Sequence, residues 1–302
     1  MPVLETSTVP VLEIGGTHVT AALVDPGSWQ LVAGSAKRSH IDAQGSTEEL
    51  VAAFVGAAAE LRPDGAVLGV AIPDPFDYAT GVGRFSGVGK FESLYGLDLR
   101  AAILDSVPGL EDVAFVNDAD AFLIGEWVGG AATGYERCVA ITLGTGIGSA
   151  FLAGGSIVDS GPDVAPGGRA HRLIVRGSPL EDRVSRRAIR RAYAAATGDT
   201  AADVLDISLR ARAGDTVSAQ VLATAMGALG EAFAPIVARF APDVIVVGGS
   251  MAGSWDLFEP SFRAGLQGDH QRIVTAVHLE HAPLTGAAWQ AVHRREPAAD
   301  LN

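Results

Sequence analysis

The stretch VPVLEIGGTHVTAALVD, residues 9–25, decides the fold. Two apolar runs rich in Val and Thr, each of strand length, flank Gly15 and Gly16, which predicts a β-hairpin. The turn has a second reading. Glycine carries no Cβ, so the backbone N–H groups of Gly15, Gly16 and Thr17 can approach a phosphate, with the Thr17 hydroxyl as a further donor. A plain tight hairpin uses the same residues. The pattern recurs where RCVAITLG and IGSAFLAGG, residues 137–155, flank a turn holding Gly144, Thr145 and Gly146. A strand rather than a helix follows it, which separates it from the dinucleotide-binding fingerprint. A strand–glycine turn–strand unit repeated in both halves predicts two related α/β lobes with a central cleft.

Outward from these turns, WQLVAGSAKR (29–38) reads as a third strand. Ser46 and Glu49 have capping-box spacing and open a helix that runs through ELVAAFVGAAAEL and stops before Pro63. GAVLGVAI (65–72) is a buried-type strand and LDLRAAIL (97–104) a short helix. VAFVN (113–117) reads as a strand and ADAFLIGEWVGGAA (119–132) as a helix. Helices are predicted over LEDRVSRRAIRRAYAAAT (180–197), AADVLDISLRARA (201–213) and SAQVLATAMGALGEAFAPIVARF (218–240). The strand DVIVVGG (243–249), a helix near 255–266, a late strand VTAVHLEHA (274–282) and a final helix from Gly286 complete the pattern. The lobes are assigned as a small N-terminal one, 1–115, and a large C-terminal one, 116–302. The final helix, near 285–296, is a candidate to pack back on the first. The tail EPAADLN reads as loose.

The length of 302 residues fits two domains, and 48% apolar residues suffice for a large core. The 19% of charged residues form no long tracts, which argues against disorder. With 22 Lys and Arg against 35 Asp and Glu, the net charge is −13. That field repels phosphate backbones, so no nucleic-acid partner is expected. It does not stop an anionic ligand from binding to backbone N–H groups. Cys138 is the only cysteine, so neither an intrachain disulfide nor a cysteine-rich zinc site can form. One thiol is compatible with a reducing cytoplasm. The stretch MPVLETSTVPVLEIGG lacks the basic and long apolar regions of a secretion signal. No run approaches 18 uninterrupted apolar residues, so no membrane span is expected.

Two further stretches bear on chemistry. PDVIVVGGS ends a strand in Gly248, Gly249 and Ser250, where a glycine pair lets a flat ring or ribose lie against backbone. An ordinary strand-to-helix loop is the alternative. FVNDADAFLIGEW (115–127) sets Asp118 and Asp120 directly after an apolar run. Acids at such a junction either cap a helix or do chemistry.

IGGT, IPDPFDYATG, VNDADA, LGTGIG, His171 followed by LEDRVS, and PDVIVVGGS occur in the order and at about the spacing of the ROK sugar kinases. The chain resembles that family, of the ribonuclease-H-like/actin-like ATPase superfold, over nearly its whole length. The resemblance implies an ATP-dependent carbohydrate kinase. Gly15, Gly16 and Thr17, with Gly144, Thr145 and Gly146, would hold the ATP phosphates. Gly248, Gly249 and Ser250 would line the adenosine site. Asp118 would be the catalytic base, taking the proton of a sugar hydroxyl as its oxygen attacks the γ-phosphorus. A helix start favours the charged carboxylate there. Asn117, His171 and Glu181 would bind sugar hydroxyls. Mg²⁺ is implied, with Glu13 beside its water shell, as are a homodimer and a cytoplasmic location.

The chain departs from the family pattern in its sugar pocket. Relatives commonly bind a structural zinc through the His and a cysteine-rich segment before the Glu. Here that segment is RLIVRGSP, so no structural zinc is expected and His171 needs another orienting partner. Gly168 stands where a sugar-contacting Glu is usual, with Arg169 and Arg172 near it, as solvated loop residues or as part of an altered pocket. Glu13 replaces an Asp, and Asp74 a Gly. FSGVGKF (85–91) replaces an Asn-containing loop, with Ser86 and Lys90 as substitute contacts. The reaction type is therefore a firmer expectation than the acceptor, read as a hexose or amino sugar. A sugar-like cyclitol, or an inactive sugar-binding protein, is the alternative. A repressor of the same family would carry a DNA-binding module before the first glycine motif, and 12 residues before Glu13 leave no room for one. Polyphosphate as donor would call for a strongly basic groove, against the overall acidity.

Overall fold

The structure is a computed structural model that describes residues 8–268 and 271–293. In the stretch 9–25, β1 (Val9–Ile14) and β2 (His18–Asp25) pair antiparallel with Ile14 opposite Val19. The Gly15 N–H donates to the His18 carbonyl at 2.9 Å and closes the turn. The expected third strand is two short ones, β3 (Gln30–Leu31) and β4 (Lys37–His40), both paired to β2. Between them Gly34 adopts a φ of +74°, and the Leu23 N–H donates to Ser35 Oγ at 3.1 Å. This loop lifts the chain off the strand edge and returns it three residues out of the earlier register.

α1 (Thr47–Ala59) starts at a complete Ser46–Glu49 capping box and ends ahead of Pro63. β5 (Ala66–Ile72) lies parallel to β1. β6 (Phe76–Asp77) and β7 (Val82–Gly83) form a small hairpin, followed by α2 (Leu99–Ser106). β8 (Leu110–Asn117) runs parallel to β5 and passes directly into α3 (Asp118–Gly129).

The pattern restarts with β9 (Arg137–Leu143) and β10 (Ile147–Ala153), antiparallel with Leu143 opposite Ile147, and with β11 (Ser156–Ile157) on the edge. A second small hairpin joins β12 (Ile174–Val175) and β13 (Ser178–Pro179). Then come α4 (Glu181–Val184), α5 (Arg186–Thr197), α6 (Val204–Arg212) and α7 (Thr216–Phe240). The helix expected over 180–197 is broken because Ser185 leaves helical geometry (ψ 156°) to accept from the Ala188 N–H and cap α5. β14 (Val244–Gly248) and α8 (Trp255–Leu266) lead to β15 (Ile273–Thr275) and α9 (Ala282–His293). The late strand is thus shorter than expected and starts a residue earlier. Its partner β14 stops at Gly248, so pairing ends once the Ala276 N–H has donated to the Val247 carbonyl. Beyond that point Val277 and Leu279 are exposed.

The sheet orders are β3-β2-β1-β5-β8 and β11-β10-β9-β14-β15. In each, an antiparallel hairpin leads through its first strand into two strands added in parallel. This duplicated α/β arrangement is that of the actin-like ATPase superfold. The chain divides into two compact units, one running up to Gly130 and taking in the segment from Glu280, the other being Ala131–Leu279. Leu12, Phe54, Val70 and Phe91 belong to the core of the first. Phe151, Leu229, Phe233 and Phe258 belong to that of the second.

In the first unit α9 lies against α3, β5 and β1. A Cβ on Gly125 would fall 2.0 Å from the Ala282 carbonyl oxygen, and one on Gly286 would fall 1.9 Å from that of Ala121. In the second, α7 is the one helix among the described residues long and apolar enough to cross a membrane. Its Leu222, Met226, Leu229 and Phe233 are instead buried in the unit's core. The first residues of the segment read for a secretion signal, the tail 296–302 and the end of the final helix lie outside the described residues.

Candidate active site

In the first unit, strand β8 is buried along its second half and delivers Asn117 and Asp118 to the start of α3. Asn117 is the cap: its Oδ1 accepts from the Ala119 and Asp120 N–H groups at 3.0 and 3.3 Å. Its Nδ2 donates to Tyr78 Oη at 3.0 Å. Capping therefore falls to Asn117, and Asp118 is the first helical residue. The Asp118 side chain is exposed, and one of its oxygens accepts from the Ala119 N–H at 2.8 Å. Asp120 is buried at 6% exposure, apart from Asp118 in environment.

Glu13, near the end of β1, shares this region. Burial pushes its carboxyl from 4.5 up to about 7; Asp118 adds to the rise, Arg38 opposes it, and Glu280 adds a smaller share. Beside it Gly16 and Thr17 are exposed, with open space where a Gly16 Cβ would stand. Thr17 Oγ1 lies 2.8 Å from His18 Nδ1, and Arg38 Nη2 lies 3.4 Å from the same nitrogen. Tyr78 Oη donates to Asp74 Oδ1 at 2.9 Å, and its phenol is held protonated by burial and by that carboxylate. Ser86 is exposed on the loop after the buried Phe85. No group of three or more His, Cys, Asp or Glu stands together to hold a metal among the described residues. A hard divalent cation still fits next to Glu13, because three carboxylates share its field, provided that water and phosphate supply the other ligands.

In the second unit the residues of three separate motifs converge on the turn between β9 and β10. The Gly144 N–H donates to the Gly146 carbonyl at 3.0 Å, and the Arg186 N–H donates to the Gly144 carbonyl at the same distance. A Cβ on Gly146 would stand 3.1 Å from Glu181 Oε2, and one on Gly144 would stand 3.4 Å from Ser250 Oγ. Gly249 is at φ +84°, where a Cβ would fall 2.3 Å from the Leu143 carbonyl oxygen. Only glycine permits that approach of β14's end to β9. Gly144, Thr145, Gly146, Glu181, Gly248, Gly249 and Ser250 thus form one neighbourhood.

His171 lies on a short 3₁₀ turn, half-buried, at the base of the β12–β13 hairpin. The hairpin brings the two ends of RLIVRGSPL together, the Leu180 N–H donating to the Leu173 carbonyl at 2.8 Å. It is braced by Arg183 Nε donating to Ser178 Oγ at 2.8 Å and by an Arg176–Glu231 ion pair to α7. These bonds close the segment RLIVRGSP, which holds no cysteine. Gly167 and Gly168 are both left-handed, φ +66° and +74°, and Ser149 Oγ donates to the Gly168 carbonyl at 2.7 Å. A Glu at 168 would carry backbone strain. Arg169 is buried and Arg172 exposed. Cys138 is fully buried in β9, and its thiol is pushed up to about 12 by burial and by Asp243 and Glu136. Sequence reading passed over Tyr78, Glu280, Arg38 and His18. All four lay in quoted stretches without being singled out, and the Tyr78 bond to Asn117 spans 39 positions.

The ROK family model matches residues 10–294. The chain is 29% identical over 217 residues to the glucokinase of Thermotoga maritima, covering 64% of this chain and 67% of that one. The ROK hexokinase from Thermus thermophilus superposes with a TM-score of 0.76 at 25% identity, over 95% of this chain and 98% of that one. A ROK family glucokinase from Streptomyces griseus, solved with glucose and AMPPNP, superposes at 0.74 with 24% identity, over 95% and 99%. The last likeness shows the fold alone.

Proposed function

The chain belongs to the ROK family, and from that premise we propose that it transfers the γ-phosphoryl group of ATP to a hydroxyl of a hexose or amino sugar, with Asp118 as general base. The observation that carries this reading is the exposed Asp118 carboxylate at the start of α3, in the field of Glu13 at the first glycine turn. Asn117 caps α3, and the Asp118 carboxylate beside it stands at the surface, where it would take the proton. The glucokinase and hexokinase relatives support the reaction class. Gly15, Gly16 and Thr17, with Gly144, Thr145 and Gly146, hold phosphates through backbone N–H groups. Gly248, Gly249 and Ser250 carry the nucleoside. Asn117, His171, Glu181 and Ser86 contact the sugar. Glu13 would stand beside a bound Mg²⁺, which would supply positive charge against the phosphates. Asp118 accepts the hydroxyl proton as the oxygen attacks phosphorus. The protein acts as a cytoplasmic homodimer, which light scattering of the purified chain checks.

The left-handed Gly168 favours a second reading of the acceptor. One sugar contact of the family is absent there, so a sugar-like cyclitol suits the same reaction. A panel of hexoses, amino sugars and cyclitols with ATP and Mg²⁺, read by ADP release, separates the two. Release with none of them would favour an inactive sugar-binding protein. Asp118→Asn is expected to lower kcat by about 10²–10⁴-fold while calorimetry still detects sugar binding. Turnover at the unsubstituted rate would remove the base.

A further inference from the structure

One hydroxyl beside the site takes no part in the transfer itself. Tyr78 follows β6, and its ring packs on Phe76 at 5.5 Å, which packs in turn on Phe115 of β8 at 4.9 Å. That packing sets where the phenol oxygen stands, at the C-terminal ends of β5 and β8, where Ile72 is opposite Asn117. Tyr78 Oη donates to Asp74 Oδ1 at 2.9 Å and accepts from Asn117 Nδ2 at 3.0 Å. The Ile72 carbonyl oxygen, at 3.2 Å, is a second acceptor within reach. A hydroxyl has one proton, and an ionised carboxylate only accepts. The proton therefore turns to Asp74, and a lone pair is left for the Asn117 amide. Burial and then the Asp74 charge keep the phenol protonated, and the Asp118 charge adds a smaller share. Asn117 is thereby held one way round. Its Nδ2 faces Tyr78, and its Oδ1 faces the Ala119 and Asp120 N–H groups. Reversed, the amide would set N–H against N–H. The Ala119 N–H is shared, because Asp118 Oδ1 accepts from it too, at 2.8 Å against 3.0 Å for Asn117 Oδ1.

We propose that Tyr78 is a positioning residue for the transfer: through the Asn117 amide it fixes the start of α3, and with it the direction of the Asp118 carboxylate. The inference rests on the sugar-kinase reading above, with Asp118 as the base. Asp118 is exposed, so close packing does not fix its direction, and the N–H it shares with Asn117 ties it to the helix start. An Asn117 side chain released from Tyr78 would share that N–H less steadily, and the carboxylate would be drawn in towards the helix. A base must lie within hydrogen-bond reach of the proton it takes. Misplacement by about 1 Å costs on the order of 10²-fold in rate. Asp74 acts one step further back, by turning the phenol proton away from Asn117. A network that only satisfied buried polar groups would stabilise the fold and leave the rate of transfer alone.

The test is steady-state kinetics with ATP, Mg²⁺ and the best acceptor of the panel. It compares the unsubstituted chain with Tyr78→Phe, Asp74→Ala, Asn117→Ser and Asn117→Ser/Tyr78→Phe. Tyr78→Phe keeps the ring and removes the hydroxyl. It is expected to lower kcat by about tenfold, with the KM for ATP and the calorimetric affinity for the sugar unchanged. Asp74→Ala is expected to lower kcat less, because the Ile72 carbonyl then takes the phenol proton. Asn117→Ser keeps an oxygen to cap α3 but has no amide to meet Tyr78. In that background Tyr78→Phe is expected to cost nothing further in kcat. Partial misfolding would lower turnover by the same factor in both backgrounds, so an equal factor overturns the inference. An unchanged kcat in Tyr78→Phe overturns it too. So does a loss carried by sugar affinity alone, which marks a binding contact. A greater loss in Asp74→Ala than in Tyr78→Phe assigns the effect to the carboxylate's charge and likewise overturns it. In all of these cases the unsubstituted chain still turns over, and the kinase reading stands. No turnover by the unsubstituted chain sinks that reading and takes the inference with it.

Discussion

Glu13 carries a carboxyl held near 7 instead of 4.5, first by burial and then by Asp118. A raised folded-state value means that the folded chain binds this proton more tightly than the unfolded one. The stabilisation is fully present below about 4.5 and is lost as pH rises to about 7, an amount of about 3 kcal/mol. Glu13→Gln is expected to remove that slope. Urea unfolding at several pH values between about 4.5 and 7.5 measures it. An equally steep loss of stability in the variant would mean that other groups cause it. Asn117 tests the neighbouring geometry. Asn117→Ala removes the cap of α3 and leaves Tyr78 Oη without its amide donor, and is expected to cost about 1–2 kcal/mol in the same assay. The junction at 117–118 was legible in the sequence as a choice between capping and chemistry. That the cap is Asn117 rather than Asp118 was not, because it depends on side-chain direction. Tyr78 and Glu280 were hidden for another reason: their partners are distant in the chain.

At the element scale, turns and caps were legible and strand lengths were not. The Ser46–Glu49 box and both glycine hairpins announce themselves locally. β4 and β15 run out with their partners and β3 stops at the Gly34 loop, which no local pattern encodes. The break at Ser185 had a local signal, a serine three residues before Ala188, yet its use is tertiary: it frees the Arg186 N–H for Gly144. The contact between α3 and α9 leaves no room at Gly125 and Gly286. Gly286→Ala is expected to destabilise by about 2–3 kcal/mol, although alanine is the better helix former. A stability gain in thermal unfolding would contradict that packing. The β12–β13 hairpin is closed by hydrogen bonds and an ion pair, so the purified protein is expected to contain no stoichiometric zinc. Elemental analysis giving one zinc per chain would contradict this.

Across the whole molecule, the duplicated sheet order was readable from one repeated pattern. The final helix was named as a candidate to pack back on the first lobe, although its apolar face shows only that it packs, not where. Leu284, Ala287 and Ala288 are fully buried in the first unit. Cutting the chain after Leu279 is therefore expected to unfold that unit, whereas residues 131–279 expressed alone should unfold cooperatively. Circular dichroism melts of the two fragments check this, and a cooperative melt from residues 1–130 alone would refute it. The discontinuous first unit also bears on biosynthesis. On a ribosome its strands emerge first but must wait for their closing helix, some ten seconds or more at ordinary elongation rates. The contiguous second unit can settle during that interval, so the half made first is finished last, and its bare sheet is the surface a nascent-chain chaperone would meet.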